Sequence, residues 1–276
     1  TIGMLMATFI VSLMTMFSEE QFLSWGWRIP FLMSAVLVLI GLWIRKDIDE
    51  TPEFKKVKES GKVAKAPLRD TLTHHWREVI IAAGLKVVET APFYIFSTFV
   101  VSYATTTLTY QKSQVLEAVT LGALVATVMI PLMGLLSDKI GRQRMYAISV
   151  VLLGLFIVPW FMLLNTGTTW GIILATVITF GILWSPITAV LGTLCSEIFS
   201  ANVRYTGITL GYQIGAALAG GTAPLIATGL LAKYNGDWVP VAWYLAATVA
   251  ISLTAIFFAS RSKRHTSSVN AQASQI

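Results

Sequence analysis

The chain has 276 residues, of which 55% are hydrophobic and 12% charged, with 20 Lys and Arg against 14 Asp and Glu for a formal net charge of +6. Soluble domains carry about 25% charged residues, so a water-soluble globular protein is excluded, and a mean hydropathy of +0.70 leaves little room for a soluble domain. The single cysteine, Cys195, excludes an intrachain disulfide and a Cys/His metal cluster.

A hydrocarbon core of about 30 Å takes about 20 apolar residues of helix. Residues 2–17 give an apolar stretch at the chain start, with no signal peptide and cleavage site ahead of it. Residues 29–44 give the first complete span. The stretch 45–78 is then long and polar. Thr51-Pro52-Glu53 suits a helix start, with Thr51 as N-cap and Pro52 at the first helical position, and Gly61 and Pro67 punctuate the rest of the segment. This segment reads as a basic linker with a short amphipathic helix lying on the membrane face. Six further spans come next, at 79–104, 116–136, 146–164, 170–194, 205–232 and 239–259. The tail 260–276, rich in Ser, Gln and Asn, is expected to be disordered. The organisation is therefore two spans (1–44), a linker (45–78), a six-span bundle (79–259) and a tail.

Lys and Arg in short loops mark the cytoplasmic side of a membrane protein. Nine fall in 45–78, three in 137–145, one in 195–204 and three in the tail, against one each at Arg28, Lys112 and Lys233 on the other side. The alternation is strict and places the C-terminus in the cytoplasm. In a soluble protein the same excess of positive charge would suggest nucleic acid; here its position points to a bilayer instead.

Within the spans, Lys86 and Glu89 are the sharpest chemical candidates, because ionisable groups inside a membrane are costly and face a cavity or a partner. At 100° per residue Lys86, Glu89, Thr90, Phe93 and Ser97 share one stripe, with Tyr94 at its border. The alternative is a mutually neutralised structural pair with Lys86 snorkelling to the interface. Trp184 and Ser185, next to Pro186, and Tyr212 with Gln213 are softer candidates for the same cavity. Gly207, Gly211, Gly215 and Ala219 recur every four residues, a spacing that lets two membrane helices pack closely. Pro131 and Pro224 suit kinks or hinges, and His74 and His75 read as interfacial.

The turn from Gly134 to Arg144, wedged between two spans, has its own physical logic. Gly134 lets a neighbouring helix approach and Gly141 permits a tight turn. Asp138 is placed to accept from Arg142, four residues on, or from exposed N–H groups at a helix start. Arg142 and Arg144 face water, and across the 195–204 turn Glu197 and Arg204 offer matching charges. The alternative is that these charges cap helices at the membrane surface.

Gly-x-Leu-Ser-Asp-Lys-x-Gly-Arg at 134–142 resembles the loop signature of the major facilitator superfamily, in the copy between its eighth and ninth spans. Trp25-Gly26-Trp27-Arg28-Ile29-Pro30-Phe31, Glu50-Thr51-Pro52-Glu53-Phe54, Glu197-Ile198-Phe199, Val203-Arg204-Tyr205-Thr206-Gly207 and Leu210-Gly211-Tyr212-Gln213 resemble its metabolite:proton symporter branch. The resemblance runs from about residue 22 to 258. It implies an all-α polytopic membrane protein in which 2–17 and 29–44 are the fifth and sixth spans and the rest the seventh to twelfth. It implies proton-coupled symport of a small organic acid or a zwitterionic, betaine-like metabolite across a cell membrane, and an ion-pair cluster of Asp138, Arg142, Glu197 and Arg204 closing the cytoplasmic side. The partners are then substrate, protons, lipid and an N-terminal half that is mostly missing here. Since the substrate site of this superfamily lies between two halves, the chain as given is not expected to transport. Two alternatives are a transporter-like sensor or scaffold and a passive facilitator. No metalloprotease, serine hydrolase, phosphate-loop or dinucleotide fingerprint appears in the sequence, so neither an enzyme nor a cofactor is expected.

Overall fold

The computed structural model describes the chain at residues 3, 10, 19–46, 67–200 and 203–273, and among these the regular structure is helical throughout. The helices are α1 (Glu19–Gln21), α2 (Arg28–Lys46), α3 (Pro67–His74), α4 (Trp76–Tyr94), α5 (Val100–Thr106), α6 (Lys112–Ile140), α7 (Arg142–Leu164), α8 (Thr169–Thr176), α9 (Ser185–Ser196), α10 (Arg204–Gly215), α11 (Ala223–Lys233) and α12 (Val239–Ala273). Four π-helical stretches interrupt them, at Phe22–Gly26, Ile95–Phe99, Val177–Leu183 and Ala216–Gly220. The last three each join two helices into one span.

Among the described residues seven helical runs are long and apolar enough to cross a membrane: Ser24–Lys46, Trp76–Thr106, Lys112–Ile140, Arg142–Leu164, Thr169–Ser196, Arg204–Lys233 and Val239–Ser260. Each contains one of the complete spans expected from hydropathy. The apolar stretch 2–17, apart from helical Gly3 and Ile10, and the helix start at Thr51 lie outside the described residues.

The chain divides into two compact units, 1–62 and 63–276. In the first, α2 leaves Phe31, Leu32, Leu39 and Trp43 well exposed. In the second, α4 is the central element. Its Leu85, Val88 and Ala91 have no exposure, and Phe96 and Phe99 continue the buried face beyond it. Trp160 packs on Phe96 at 4.9 Å between ring centres and on Phe161 at 4.6 Å, and Trp238 stacks on Phe161 at 4.8 Å and 17°. Polar contacts tie the ends of α6, α7 and α8 together: the Tyr110 hydroxyl donates to the Leu164 carbonyl at 2.9 Å, and burial pushes it above its ordinary range against opposing hydrogen bonds to Thr166 and Gly167.

Glycine brings α10 against α4. A Cβ on Gly211 would meet Ala82 at 2.6 Å, and one on Gly215 would meet the Ala83 carbonyl oxygen at 2.6 Å and the Lys86 Cβ at 2.8 Å. The small-residue spacing is therefore a packing seam. Gly134 behaves otherwise: a Cβ there would meet nothing within 4 Å, so among the described residues no helix uses the close approach it allows.

Three local expectations change. Pro67, expected to punctuate the linker, is the first residue of α3. Pro224 and Pro186 stand in the first two positions of α11 and α9, each just after a π-helical stretch. There the missing N–H is tolerated, so neither kinks a helix interior; Pro131 does lie inside α6. Finally, α12 runs to Ala273, through most of the stretch expected to be disordered. With no Gly or Pro after Pro240, a helix already nucleated in the membrane extends one residue at a time without a second nucleation cost.

Candidate functional site

Glu89 lies close to the middle of the 31-residue run Trp76–Thr106, and the local sequence holds it there by main-chain contacts. Pro92, inside α4, has no N–H to offer the Val88 carbonyl. Gly84 lets α12 approach so closely that a Cβ would sit 2.9 Å from that of Ala255. The Ser252 hydroxyl of α12 thereby reaches α4, donating to the Gly84 carbonyl at 2.6 Å and accepting from the Val88 N–H at 3.1 Å. The Tyr146 hydroxyl of α7 donates to the Leu85 carbonyl at 2.6 Å, and the Trp184 indole N–H donates to the Glu89 carbonyl at 2.7 Å. Side chains from three spans thus fix a single turn of α4.

On that turn Lys86 and Glu89 form an ion pair, with side chains only 17% and 12% exposed. The Thr90 hydroxyl donates to the same carboxylate oxygen at 3.0 Å, and Thr188 of α9 reaches the other oxygen at 3.5 Å. The Lys86 ammonium also lies 4.8 Å from the centre of the Tyr212 ring, a cation–π distance. The Tyr212 hydroxyl is buried beside the Cys195 thiol and has no hydrogen-bond partner of good geometry. Phe93, one turn on from Glu89, packs with Phe180 and Trp184, with ring centres 5.2 to 5.6 Å apart.

The arrangement gathers Lys86, Glu89, Thr90, Phe93, Trp184 and Tyr212, all singled out from sequence. Four other candidates fall outside it. Ser97 is buried and donates to the Phe93 carbonyl at 2.6 Å, and Ser185 likewise to the Gly181 carbonyl at 2.6 Å. Tyr94 is 37% exposed and packs over Gly220. Gln213 is exposed, one residue round the helix from Tyr212. Sequence reasoning missed Thr188 and Phe180. Thr188 lies one helical turn from Trp184, so a search for polar partners at i+4 would have found it.

The pair is neutral while Glu89 is ionised and gains a net positive charge when Glu89 takes a proton. In the second state Lys86 has lost its counter-ion and keeps the Tyr212 ring beside it. The group can therefore hold a proton or an anion at a buried position.

At the other candidate site, Gly141 takes φ +95° and turns the chain from α6 into α7. This places Arg142 four residues from Asp138. Arg142 donates through Nη1 to Glu197 at 2.5 Å and through Nη2 to Asp138 at 3.3 Å. Arg144, exposed, and Gln143, whose side-chain nitrogen is buried without a partner, line the same cleft of about 480 Å³. Arg204 contacts the Phe199 carbonyl through Nε at 3.5 Å. Arg142 bridges two carboxylates on different spans, a bond that has to break if those ends separate.

Comparison with known proteins gives a family and several relatives. The model of the Major Facilitator Superfamily matches residues 1–220 and 93–275. The chain is 34% identical over 254 residues to the shikimate transporter of Escherichia coli (strain K12), which covers 91% of this chain and 58% of that protein. It is 34% identical over 247 residues to the inner membrane metabolite transport protein YhjE of the same strain, covering 87% and 55%. It is 29% identical over 260 residues to the glycine betaine/proline/ectoine/pipecolic acid transporter OusA of Dickeya dadantii (strain 3937), covering 90% and 51%. The chain thus spans a little over half the length of these relatives. No solved structure matches it.

Proposed function

This chain belongs to the Major Facilitator Superfamily, and from that premise we propose that it forms the C-terminal bundle of a secondary active transporter driving symport of protons with a small organic acid or zwitterion. The buried Lys86–Glu89 pair near the middle of its span carries this reading. Glu89 takes the proton, and Lys86, relieved of its counter-ion, takes the substrate carboxylate. Phe93, backed by the buried Phe180 and Trp184, gives the substrate an apolar surface. The shikimate and betaine transporters among the relatives carry a carboxylate on otherwise different molecules, which agrees with a site built round one cation.

Transport by alternating access needs a second helical half facing this one. We take that half to be supplied by the same protein, as the length of the relatives suggests. The cluster of Asp138, Arg142, Glu197 and Arg204 then closes the cytoplasmic side in one state and opens in the other, in a cell-membrane protein whose C-terminus is cytoplasmic.

The test is uptake by the protein expressed from its complete reading frame, in de-energised vesicles with an imposed inward proton gradient, offering labelled shikimate, proline and glycine betaine. Accumulation that a protonophore abolishes and Glu89→Gln eliminates is the expected result. Accumulation that survives Glu89→Gln removes Glu89 from coupling. Binding without accumulation points to a sensor, and equilibration without a gradient to a passive facilitator.

A further inference from the structure

We infer that Thr188 is a positioning residue for the Lys86–Glu89 pair, and that its hydroxyl makes the contact between α9 and α4 depend on whether Glu89 is charged. The inference rests on the reading of Glu89 as a proton site.

The contacts on residues 84–89 fall into two kinds. Ser252, Tyr146 and Trp184 bind main-chain groups of Gly84, Leu85, Val88 and Glu89. Main-chain carbonyls and amides do not titrate, so these bonds hold the turn in place in either state of Glu89. The side-chain carboxylate has different partners. Lys86 and Thr90 are on its own helix and move with it. Thr188, at 3.5 Å, reaches it from another span.

The groups with charge or titratable protons around the pair are Lys86 on α4, Tyr212 on α10, Cys195 on α9 and Tyr146 on α7. From α12 the contact is Ser252, which does not titrate. Tyr212 faces the ammonium, and the Tyr146 hydroxyl is engaged by the Leu85 carbonyl.

A hydroxyl bonded to an ionised carboxylate is held more strongly than one bonded to a neutral acid. When Glu89 is neutral, Thr188 has a competing acceptor on its own helix, the Trp184 carbonyl four residues back, where helical threonines commonly bond. The backbone bond already on that carbonyl, from the Thr188 N–H, is 3.3 Å long and leaves it accessible. Trp184, just ahead of α9, and Thr188, in its first turn, lie on one face of this span, one donating to the Glu89 main chain and one 3.5 Å from its carboxylate. A change of charge at Glu89 therefore loosens one end of this two-point contact while the other holds, next to the aromatic surface proposed to face the substrate.

The experiment measures reaction of Glu89 with N,N′-dicyclohexylcarbodiimide, which attacks carboxyls in the neutral form, in the full chain in lipid nanodiscs, with labelled sites located by mass spectrometry. Removing a donor from the carboxylate favours the neutral acid. Thr188→Val should label about threefold faster at Glu89, while Thr188→Ser, which keeps the hydroxyl, should match the wild type. Glu89→Gln should take no label there. Equal rates in Thr188→Val and wild type overturn the inference, and so do equal increases in both Thr188 variants or matching increases at Glu78 and Glu117, which would report loosened packing. A wild type that takes no label at Glu89 from acid to neutral pH overturns the proton-site reading and this inference with it; a labelled wild type without a Thr188→Val effect overturns this inference alone.

Discussion

Arg142 shows how a single side chain changes meaning between sequence and structure. Its spacing to Asp138 is visible in the chain as an i,i+4 pair, and its distance to Glu197 is not, because 55 residues separate them. Exposed pairs of this kind contribute about 1 kcal/mol or less, so the cluster acts on the balance between states more than on stability. The bridging geometry makes a specific forecast. Arg142→Glu should abolish transport, and adding Glu197→Arg should restore only part of it, because a carboxylate at position 142 still faces Asp138. Adding Asp138→Asn should raise the rate further. Uptake by the three variants, at matched membrane expression, checks the order; a double variant at full wild-type activity would mean that Asp138 takes no part. The same contrast explains what was legible at the buried pair. Lys86 and Glu89 stood out because charges inside a span are costly, whereas Thr188 carries no such signal: a threonine in an apolar helix is ordinary until its partner is known.

Along each helix, periodicity placed the spans well and failed where the period itself changes. Each expected span lies inside an observed run, since length and hydropathy are enough to define a crossing. The stripe through Lys86, Glu89 and Phe93 holds while the helix is α, but the i→i+5 turns at Ile95–Phe99 rotate the helix from there on, and Ser97 leaves the group. Glycine gives the clearest prediction for an element. Gly215→Ala would drive a Cβ into the Ala83 carbonyl and the Lys86 side chain, an overpacking of about 1–3 kcal/mol, and should lower the thermal midpoint in detergent. Gly134→Ala, with open space around it, should change stability by less than about 0.5 kcal/mol. Reversed sensitivities would show that the seam between α4 and α10 is not a tight one.

For the whole molecule, the distribution of charge carries more than its total. Sixteen of the 20 Lys and Arg fall in segments that alternate across the spans, against three in the opposite loops and Lys86 inside a helix. This bias should fix the orientation: a fluorescent protein fused to the C-terminus should emit, and alkaline phosphatase at the same place should stay inactive. The opposite pattern would invert every sidedness assigned to the Arg142 cluster. Cys195 adds something practical. It is the chain's single cysteine and has no exposed surface, so thiol reagents that work from water have no native target. Within these 276 residues a pair of cysteines introduced at exposed positions can carry two spin labels or fluorophores, and distances across the bundle become measurable.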